Sequence, residues 1–533
     1  MTLIGRVIYL MIINQSFLVQ QGDARQIRKV KLPAYRGIIF DRNNIPLAIS
    51  SPVQSLWIDP EHFFAEAEEL HQLAKTIGTT PEKIIKKIQR YQNKHYMYLA
   101  RNLSPDIVAK LKQLPIYGLH VDQSFKRFYP QGETIAQLIG YTNVDEIGIE
   151  GIEKMYHSWL EGQPGIKRFV KDRDGHIIAE VGEQRAAEPG HNLTLTIDQR
   201  IQSLAYRALE QTVQTYAAKA GTVVVMDSQN GDLLAIANYP SYNPNNRGQY
   251  IGEHFRQRAF TDLFEPGSVI KPFSIASALN SGKFTVNTVI DTNPSYMMVK
   301  GHAIRDMRNY GKISVAEIIQ HSSNVGVTKM VLANNAEHLI DLFKRVGFAQ
   351  RSYTGYPGEA EGDLPRPEHI NPFVLATLGF GYHVSVTPIQ LTQAYSIFAN
   401  EGQLRPVNLI YQNENRQQPI QAVDKEVANQ LLQVMEGVIS AQGTGSLARV
   451  PGYRVAGKTG TSRVADERGY NAEKHIGSFV GIAPVSNPKL IVAAVIYEPT
   501  RGSYYGGKVA APLFAKVMGG ALHVLEIKPD KIG

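Results

Sequence analysis

The stretch FEPGSVIKPF, from Phe264 to Phe273, places a serine and a lysine three residues apart directly after a Pro-Gly pair. Apolar residues then recur at helical spacing. This predicts a helix that begins at Ser268 and carries Pro272 in its first turn, where a missing N–H costs little. Ser268 and Lys271 would be neighbours on one face of that turn. A capping serine would explain the position of Ser268 but not the presence of Lys271.

Ser322, Ser323 and Asn324 form a polar interruption between two apolar helical patterns. The interruption predicts a short loop that points its side chains into a cleft. It would equally suit a cap at the start of the second helix, because serine and asparagine side chains accept hydrogen bonds from the first free N–H groups. The tripeptide alone does not decide between a site and a cap.

Lys458, Thr459, Gly460 and Thr461 lie in a strand-like run that precedes the turn signals of ADERGYN. A glycine inside a strand often marks the close approach of another backbone or of a ligand. Thr459 and Thr461 would point to the same face of the strand, so both hydroxyls could bind one carboxylate, which Lys458 would attract. An edge strand with a solvated lysine is the alternative.

Each of these three motifs is weak by itself, and a second Ser-x-x-Lys occurs at Ser486, in a predicted turn between strands. Their order along the chain, with a helix start, then a loop, then a strand, is a much stronger signal. The combination is typical of serine acyltransferases that recognise penicillin. The N-terminus of the first helix would also supply an N–H donor for an oxyanion.

The other patterns predict an α+β fold in the C-terminal part of the chain. A helical pattern in IDQRIQSLAYRALEQTVQTY precedes a predicted β-hairpin in GTVVVMDSQNGDLLAIANYP, and later helices precede a final group of strands and a last helix. We therefore expect an antiparallel sheet bracketed by helices across residues 190–533. Residues 25–189 mix short strands and helices and form a separate region, and residues 1–24 form a third.

Composition excludes several classes of site. Cysteine is absent, so disulfides, thiol catalysis and cysteine metal ligands are all excluded. The sequence contains no zinc spacing, Walker loop or dinucleotide fingerprint, and we expect neither a metal nor an organic cofactor. The net charge of +8 fits a protein that works beside anionic lipid or an anionic polymer, and does not indicate nucleic acid.

The N-terminus carries an apolar run from Leu3 to Val19 that is interrupted by Arg6 and by an Asn-Gln-Ser sequence. A membrane span needs roughly 20 mostly apolar residues, so this run is too short. We interpret it as the end of a membrane anchor whose beginning is missing, followed by basic residues from Arg25 onward. An amphipathic surface helix is the alternative.

With these motifs in place, the chain resembles the division-type class B penicillin-binding proteins, the FtsI peptidoglycan D,D-transpeptidases, over nearly its full length. The resemblance rests on FEPGSVIKPF, HSSNVGVTKM and AGKTGTSRV, and in the N-terminal half on stretches such as RGIIFDRNNIPLA and TIDQRIQSLAYRAL. The SSN followed by VGV is similar to the division branch of the family. His383 stands where relatives usually have glycine.

The resemblance implies an elongated, non-catalytic pedestal domain at residues 25–189. It implies a penicillin-binding, serine β-lactamase-like transpeptidase domain at residues 190–533, facing the periplasm. It also implies a single-pass anchor in the bacterial inner membrane, stem peptides as substrates at the division septum and β-lactams as inhibitors. The implied partners are membrane proteins of the division machinery, including a polytopic glycosyltransferase.

The resemblance further implies a role for each motif residue. Ser268 would attack the carbonyl of a D-Ala-D-Ala stem peptide, and Lys271, with its pKa lowered by burial and by a second lysine, is the hypothetical base. Ser322 would relay a proton and Asn324 would hold the substrate amide. The backbone N–H groups of Ser268 and Thr461 would form an oxyanion hole. The residues expected at the substrate carboxylate and its cation are Lys458, Thr459, Gly460 and Thr461.

Three other readings share these motifs. A β-lactamase would need a residue that activates water for fast deacylation, and no motif identifies one. A D,D-carboxypeptidase differs only in using water as the acceptor. A non-enzymatic β-lactam receptor or division scaffold would be consistent with the large N-terminal region.

Overall fold

The computed structural model describes the chain except for residues 1–4, 7–8, 17–26, 62, 95, 172–176, 353, 412–415, 467–468 and 532–533. Most of the predicted membrane anchor, residues 1–24, lies outside the described residues. Within it, Tyr9–Ile13 forms one short π-helical turn. No helix among the described residues combines the length and the apolar character needed to cross a membrane.

The strands, in chain order, are β1 Ile27–Leu32, β2 Ile39–Phe40, β3 Pro46–Ile58, β4 Met97–Leu103, β5 Leu119–Phe128, β6 Gly165–Lys171, β7 Ile177–Arg185, β8 Leu193–Thr194, β9 Ala220–Asp227, β10 Leu233–Tyr239, β11 Val289–Asp291, β12 Tyr296–Val299, β13 His302–Arg305, β14 Lys312–Ser314, β15 Gln403–Leu404, β16 Ile420–Gln421, β17 Ala456–Asp466, β18 Gly469–Ala483 and β19 Leu490–Tyr497.

The α-helices are α1 Ala67–Thr76, α2 Pro81–Arg90, α3 Pro105–Leu111, α4 Ala136–Ile139, α5 Gly151–Met155, α6 His157–Leu160, α7 Gln199–Thr215, α8 Gly252–Phe255, α9 Arg258–Thr261, α10 Lys271–Asn280, α11 Val315–His321, α12 Asn324–Ala333, α13 Ala336–Arg345, α14 Pro372–Leu378, α15 Pro388–Ala394, α16 Ser396–Ala399, α17 Lys425–Glu436, α18 Gly506–Val509 and α19 Ala511–Val524. Short 3₁₀ turns span Gly132–Thr134, Gly267–Ile270, Pro367–His369, Gly437–Ile439 and Ser446–Ala448.

The C-terminal part is built on one five-stranded antiparallel sheet in the order β10-β9-β19-β18-β17. Strands β9 and β19 are almost continuously apolar and buried, as expected for strands that are covered on both faces. Helices α7 and α19 pack on each other and on this sheet, and α15 also packs on β9 and β19. The predicted α+β fold, with an antiparallel sheet bracketed by helices, is confirmed.

The N-terminal part contains two smaller sheets. The long β3 pairs with β4 and β5, and β2 joins β3 to β8. Strands β1, β6 and β7 form a separate three-stranded sheet. A small core of eight buried residues lies between β3 and the helices α1 to α3, apart from the large core of the C-terminal part.

The edge of the large sheet positions the candidate site. Among the described strands, β17 has β18 as its only partner, with Ala456 opposite Ile482 and Thr461 opposite Gly477. The other edge of β17 lies against the 3₁₀ turn Gly267–Ile270 that begins α10. The sheet therefore brings the lysine-threonine motif next to the serine-lysine motif, about 190 residues earlier in the chain.

Candidate active site

The three predicted motifs meet around the hydroxyl of Ser322. Lys271 Nζ lies 3.1 Å from Ser322 Oγ, and Lys458 Nζ lies 3.0 Å from the same oxygen. Lys271 Nζ also donates to Ser322 O at 2.6 Å and to Asn324 Oδ1 at 2.7 Å. The Ser322 hydroxyl therefore bridges the amines of Lys271 and Lys458, which are far apart in the sequence.

Ser268 occupies the 3₁₀ turn before α10, and Lys271 is the first residue of α10. Ser268 is partly exposed, whereas Lys271 is completely buried. Among the described residues, the Ser268 hydroxyl makes no hydrogen bond, because the Lys271 amine is directed to the SSN loop. The two residues share one turn as predicted, but their direct contact is not formed in this state.

The two serines of the SSN loop lie in different surroundings. Ser322 ends α11 in the left-handed conformation, with a φ of 60°, and its hydroxyl faces the two lysines. Ser323 caps α12, because its Oγ accepts from Gly326 N at 2.9 Å. The loop and the helix cap that the tripeptide predicts are therefore both present, each at a different serine.

Asp306 holds this loop, and the sequence reasoning missed it. Its carboxylate accepts from Ser323 Oγ at 2.6 Å, from Asn324 N at 2.5 Å and from Val325 N at 3.0 Å. It sits directly after strand β13, where a single aspartate in RDMRN gave no motif. A negative charge at the N-terminus of α12 is also favoured by the helix dipole.

Burial lowers the pKa of both lysine side chains. It lowers the pKa of Lys271 to about 7, against a smaller opposite effect of Asp306. It also lowers the pKa of Lys458 well below its ordinary value, and the nearby charge of Lys271 adds to this shift. A neutral amine is therefore accessible near neutral pH, as a proton acceptor requires.

Gly460 lets β17 approach the serine turn. A Cβ on Gly460 would lie 2.8 Å from Pro266 O and would collide with Ser478 Oγ. A Cβ on Gly267 would likewise lie only 3.0 Å from Thr461 O. The Thr461 carbonyl therefore points away from β18 toward the serine turn, and the N–H of the same residue points to that side too. The close approach predicted for this glycine is present.

Two residues outside the motifs hold the threonine hydroxyls. Thr459 Oγ1 lies 2.7 Å from Thr444 Oγ1, and Gly506 N donates to Thr461 Oγ1 at 3.0 Å. Because the Thr461 oxygen accepts from a backbone N–H, its own proton is free to be donated to a ligand. Neither Thr444 nor Gly506 belongs to a motif whose chemistry could be read from the sequence.

His383 lies next to the serine turn without pointing its ring at it. Its φ is 59°, which fits the usual glycine at this position. Its backbone N–H donates to Glu265 Oε1 at 2.8 Å, and its Nδ1 lies 2.8 Å from Thr377 Oγ1 on α14. Burial raises the pKa of Glu265, which also accepts from the hydroxyl of Tyr470.

The arrangement supplies the parts of an acyl transfer. A serine hydroxyl, a buried amine with a lowered pKa, a second hydroxyl and outward backbone N–H groups lie around one edge strand. In the part of the chain that the structure describes, no cluster of three or more histidine or carboxylate side chains could hold a metal ion.

Comparison with known proteins gives two family matches. The description "Penicillin binding protein transpeptidase domain" matches residues 221–519, and "Penicillin-binding Protein dimerisation domain" matches residues 31–195. The first match contains every motif residue named above.

Two curated relatives match over nearly the whole chain. The probable peptidoglycan D,D-transpeptidase PbpC of Pseudomonas aeruginosa is 39% identical over 528 residues, which cover 99% of this chain and 93% of the relative. The peptidoglycan D,D-transpeptidase FtsI of Escherichia coli is 37% identical over 536 residues, covering 99% and 90%.

Solved structures agree with these matches. The transpeptidase domain of Burkholderia pseudomallei penicillin-binding protein 3 is similar with a TM-score of 0.58 and 36% identity, covering 63% of this chain and 98% of that one. A peptidoglycan synthetase from Bifidobacterium adolescentis is similar with a TM-score of 0.75 and 25% identity, covering 95% and 98%. The resemblance inferred from the sequence is thus confirmed, and the chain belongs to the penicillin-binding proteins that join a dimerisation domain to a serine-type D,D-transpeptidase domain.

Proposed function

We propose that this chain cross-links peptidoglycan stem peptides at the division septum, with Ser268 as the nucleophile. The observation that carries the assignment of roles is the completely buried Lys271, whose low pKa makes it a base within one turn of a partly exposed serine. The relatives named FtsI support the septal setting.

The first step forms an acyl-enzyme. Ser268 Oγ attacks the carbonyl carbon of the penultimate D-alanine, and its proton passes to the neutral amine of Lys271. The amine must turn from Ser322 to Ser268 for this transfer, a tightening expected once substrate is bound. The developing oxyanion would be held by the backbone N–H groups of Ser268 and Thr461, each worth roughly 3 kcal/mol.

Departure of D-alanine requires a proton on its nitrogen. Ser322 Oγ lies between the two amines, so it can pass its proton to the leaving nitrogen and take up another proton from Lys271 or Lys458. Asn324 would hold the substrate amide, although in this state its Oδ1 is used by Lys271. The leaving carboxylate would bind Thr459 and Thr461 at the edge of β17.

The second step regenerates the enzyme. The amine of a neighbouring stem peptide attacks the ester carbonyl, loses a proton to the neutral base and releases Ser268, so one peptide bond replaces another. A β-lactam would follow the first step only, because its leaving group stays tethered after the ring opens. Penicillin would therefore remain attached to Ser268.

Location, partners and domain limits belong to the same proposal. The apolar run and the basic residues at the N-terminus support an inner-membrane anchor with the catalytic domain in the periplasm. We place the pedestal domain at residues 25–189 and the transpeptidase domain at residues 190–533. A polytopic glycosyltransferase of the division machinery would be the membrane partner.

Intact-mass spectrometry with benzylpenicillin tests the assignment. We expect the chain to gain the mass of one penicillin and to keep it for hours, and we expect the Ser268→Ala variant to gain none. An unchanged wild-type mass would reject Ser268 as the nucleophile. Rapid loss of the adduct with consumption of penicillin would indicate a hydrolase, and steady release of D-alanine without cross-linked product would indicate a carboxypeptidase.

A further inference from the structure

Positive charge is concentrated in one short part of the N-terminal region. Residues 75–112 contain nine lysines and arginines but only two acidic residues, so seven of the eight excess positive charges of the chain fall within 38 residues. Most of these cations lie on α2 and just after it. The rest of the chain is nearly neutral, so the excess positive charge is concentrated in this short stretch.

The cations of α2 form a continuous stripe, which we call the basic face. Apart from the adjacent Lys86 and Lys87, its members are spaced three or four residues apart: Lys83, Lys86, Lys87 and Arg90 on α2, and Lys94 just after its end. Such spacing places like charges next to each other on one side of a helix, which destabilises the isolated helix. All five side chains are exposed.

The acidic residues next to α2 do not neutralise this face. Helix α1 packs beside α2, but Glu66 and Glu69 form a capping box at the start of α1, and Glu68 accepts a hydrogen bond from Gln72. Among the described residues, neither Lys83 nor Arg90 takes part in an ion pair, and the same holds for Lys86 and Lys94.

Further cations and aromatic rings border the face. Lys87 Nζ donates to Tyr98 O at 2.6 Å and lies near Arg101, whose guanidinium covers the Tyr98 ring at 3.8 Å and pairs with Asp145 at 2.6 Å. Burial and the charge of Arg101 both lower the pKa of Lys87, which shows two cations held close together. The rings of Tyr91 and Tyr96 are 40% and 44% exposed at the end of the stripe.

Most of the opposite side of α2 packs within the domain, although Ile85 is 43% exposed. Ile84 is 3% exposed and packs, with the partly buried Ile88, into the small N-terminal core. A helix that lies in a membrane interface must bury its apolar side among lipids, and α2 has already used that side within the domain. The free side offers charge and tyrosine rings, which suits a hydrated polyanion better than a bilayer.

We propose that the basic face binds the carboxylate-bearing glycan-peptide polymer on which the chain acts, at a second surface away from the serine. The proposal rests on the proposed function for the identity of the polymer. Stem peptides carry carboxylates that the five cations would attract, and the exposed tyrosines can contact sugar rings. A second contact of this kind raises the local concentration of substrate near the catalytic domain.

Co-sedimentation with insoluble, protein-free peptidoglycan sacculi tests this surface. The full chain is first acylated with benzylpenicillin, or carries Ser268→Ala, so that the catalytic cleft does not contribute. We expect the triple variant Lys83→Glu, Lys86→Glu, Arg90→Glu to bind about tenfold more weakly than the parent at low salt, and we expect added salt to weaken the parent. Lys87 is left intact because it bonds to Tyr98.

A matched variant separates this surface from net charge. Lys425→Glu, Lys528→Glu, Lys531→Glu makes the same change in charge at exposed positions of the C-terminal part, and we expect it to bind sacculi as the parent does. The parent protein should also bind more weakly to sacculi whose carboxyl groups have been amidated. Both results would tie binding to the basic face and to carboxylates.

Several outcomes would overturn the proposal. Equal binding of the triple variant and the parent would do so, as would unchanged binding to amidated sacculi. Retention on vesicles rich in phosphatidylglycerol but not on sacculi would assign the face to lipid instead. If penicillin never acylates the wild-type chain but the triple variant still binds sacculi more weakly than the parent, the proposed function is rejected. The role of the basic face in binding is then retained.

Discussion

The two parts of the chain place their lysines in opposite environments. Lys271 and Lys458 are completely buried in the C-terminal part, where burial lowers both pKa values and makes a neutral amine available. The lysines of α2 are exposed in the N-terminal part and form no ion pairs among the described residues, and Lys87 donates only to the carbonyl of Tyr98. A buried amine can take a proton, whereas an exposed one retains its charge and acts at long range.

The hydrophobic cores of the two parts also differ, in this case in size. The C-terminal part packs a five-stranded sheet and its helices into one large cluster of buried residues. The core between β3 and helices α1 to α3 contains only eight buried residues. A large core can tolerate the cost of two buried amines, whereas a small core depends strongly on each of its side chains. The predictions below test how far this contrast holds.

The largest expected effect belongs to Lys271. Lys271→Met should slow acylation by benzylpenicillin by about 10²–10⁴, because the variant loses the base. In the wild type the acylation rate should rise with pH through about 7 and then level off, since the neutral amine predominates above the pKa. Stopped-flow acylation across pH 5–9 measures both. A profile without that rise would reject Lys271 as the base.

The Lys271→Met variant also tests how the stability of the folded chain changes with pH. The pKa of Lys271 is about 7 in the folded chain and near 10.5 when exposed, so the unfolded state binds more protons between these values. Stability should therefore rise with pH from about 7 to about 10.5, and Lys271→Met should remove part of that rise. Lys329→Met, at a lysine on α12 that bonds to a backbone carbonyl, is the control and should keep it.

The second prediction concerns the small N-terminal core. Leu73 on α1 is completely buried there, so Leu73→Ala should cost about 2–5 kcal/mol of the stability of that region. If the N-terminal region unfolds separately, calorimetry of the full chain should show its transition at a lower temperature in the variant, while acylation by penicillin below that temperature stays unchanged. Lys75→Ala, an exposed change on the same helix, should alter neither. A parallel loss of acylation would show that the two parts unfold as one unit.

The sequence allows prediction of those residues whose proposed chemistry requires a particular kind of side chain. Ser268, Lys271, Ser322 and Lys458 could be predicted because the proposed acyl transfer restricts the residue types allowed at a nucleophile, a base and a bridging hydroxyl. The α+β class followed from long periodic segments such as α7 and from the hairpin of β9 and β10, where local pattern and tertiary packing agree.

The remaining parts depend on tertiary contacts that leave no local pattern. Asp306 binds a loop 16 or more residues later in the chain, and Thr444 reaches Thr459 from another segment. The direction of the Lys271 amine, toward Ser322 rather than Ser268, is likewise set by packing around three elements. The basic face was present in the sequence as a charge run, but only the structure shows that neighbouring acids are engaged elsewhere.

The third prediction tests the contact between β17 and the serine turn. Gly460→Ala would place a methyl group 2.8 Å from Pro266 O and against Ser478, so the strand must shift. We expect a stability loss of about 1–3 kcal/mol together with slower acylation. Gly252→Ala is the control, because a Cβ there meets no atom within 4 Å. A Gly460→Ala variant with wild-type acylation would show that this close approach is not needed for catalysis.

The smallest expected effect separates the two serines of the SSN loop. Ser323→Ala removes a helix cap and a hydrogen bond to Asp306, and should cost about 1 kcal/mol of stability. Ser322→Ala removes only the hydroxyl between the two amines, and should slow acylation while changing the unfolding free energy less. Thermal melts and acylation rates of both variants decide the matter. If Ser323→Ala slowed acylation as much as Ser322→Ala, capping and proton transfer could not be separated, because the cap would then be what holds Ser322 between Lys271 and Lys458.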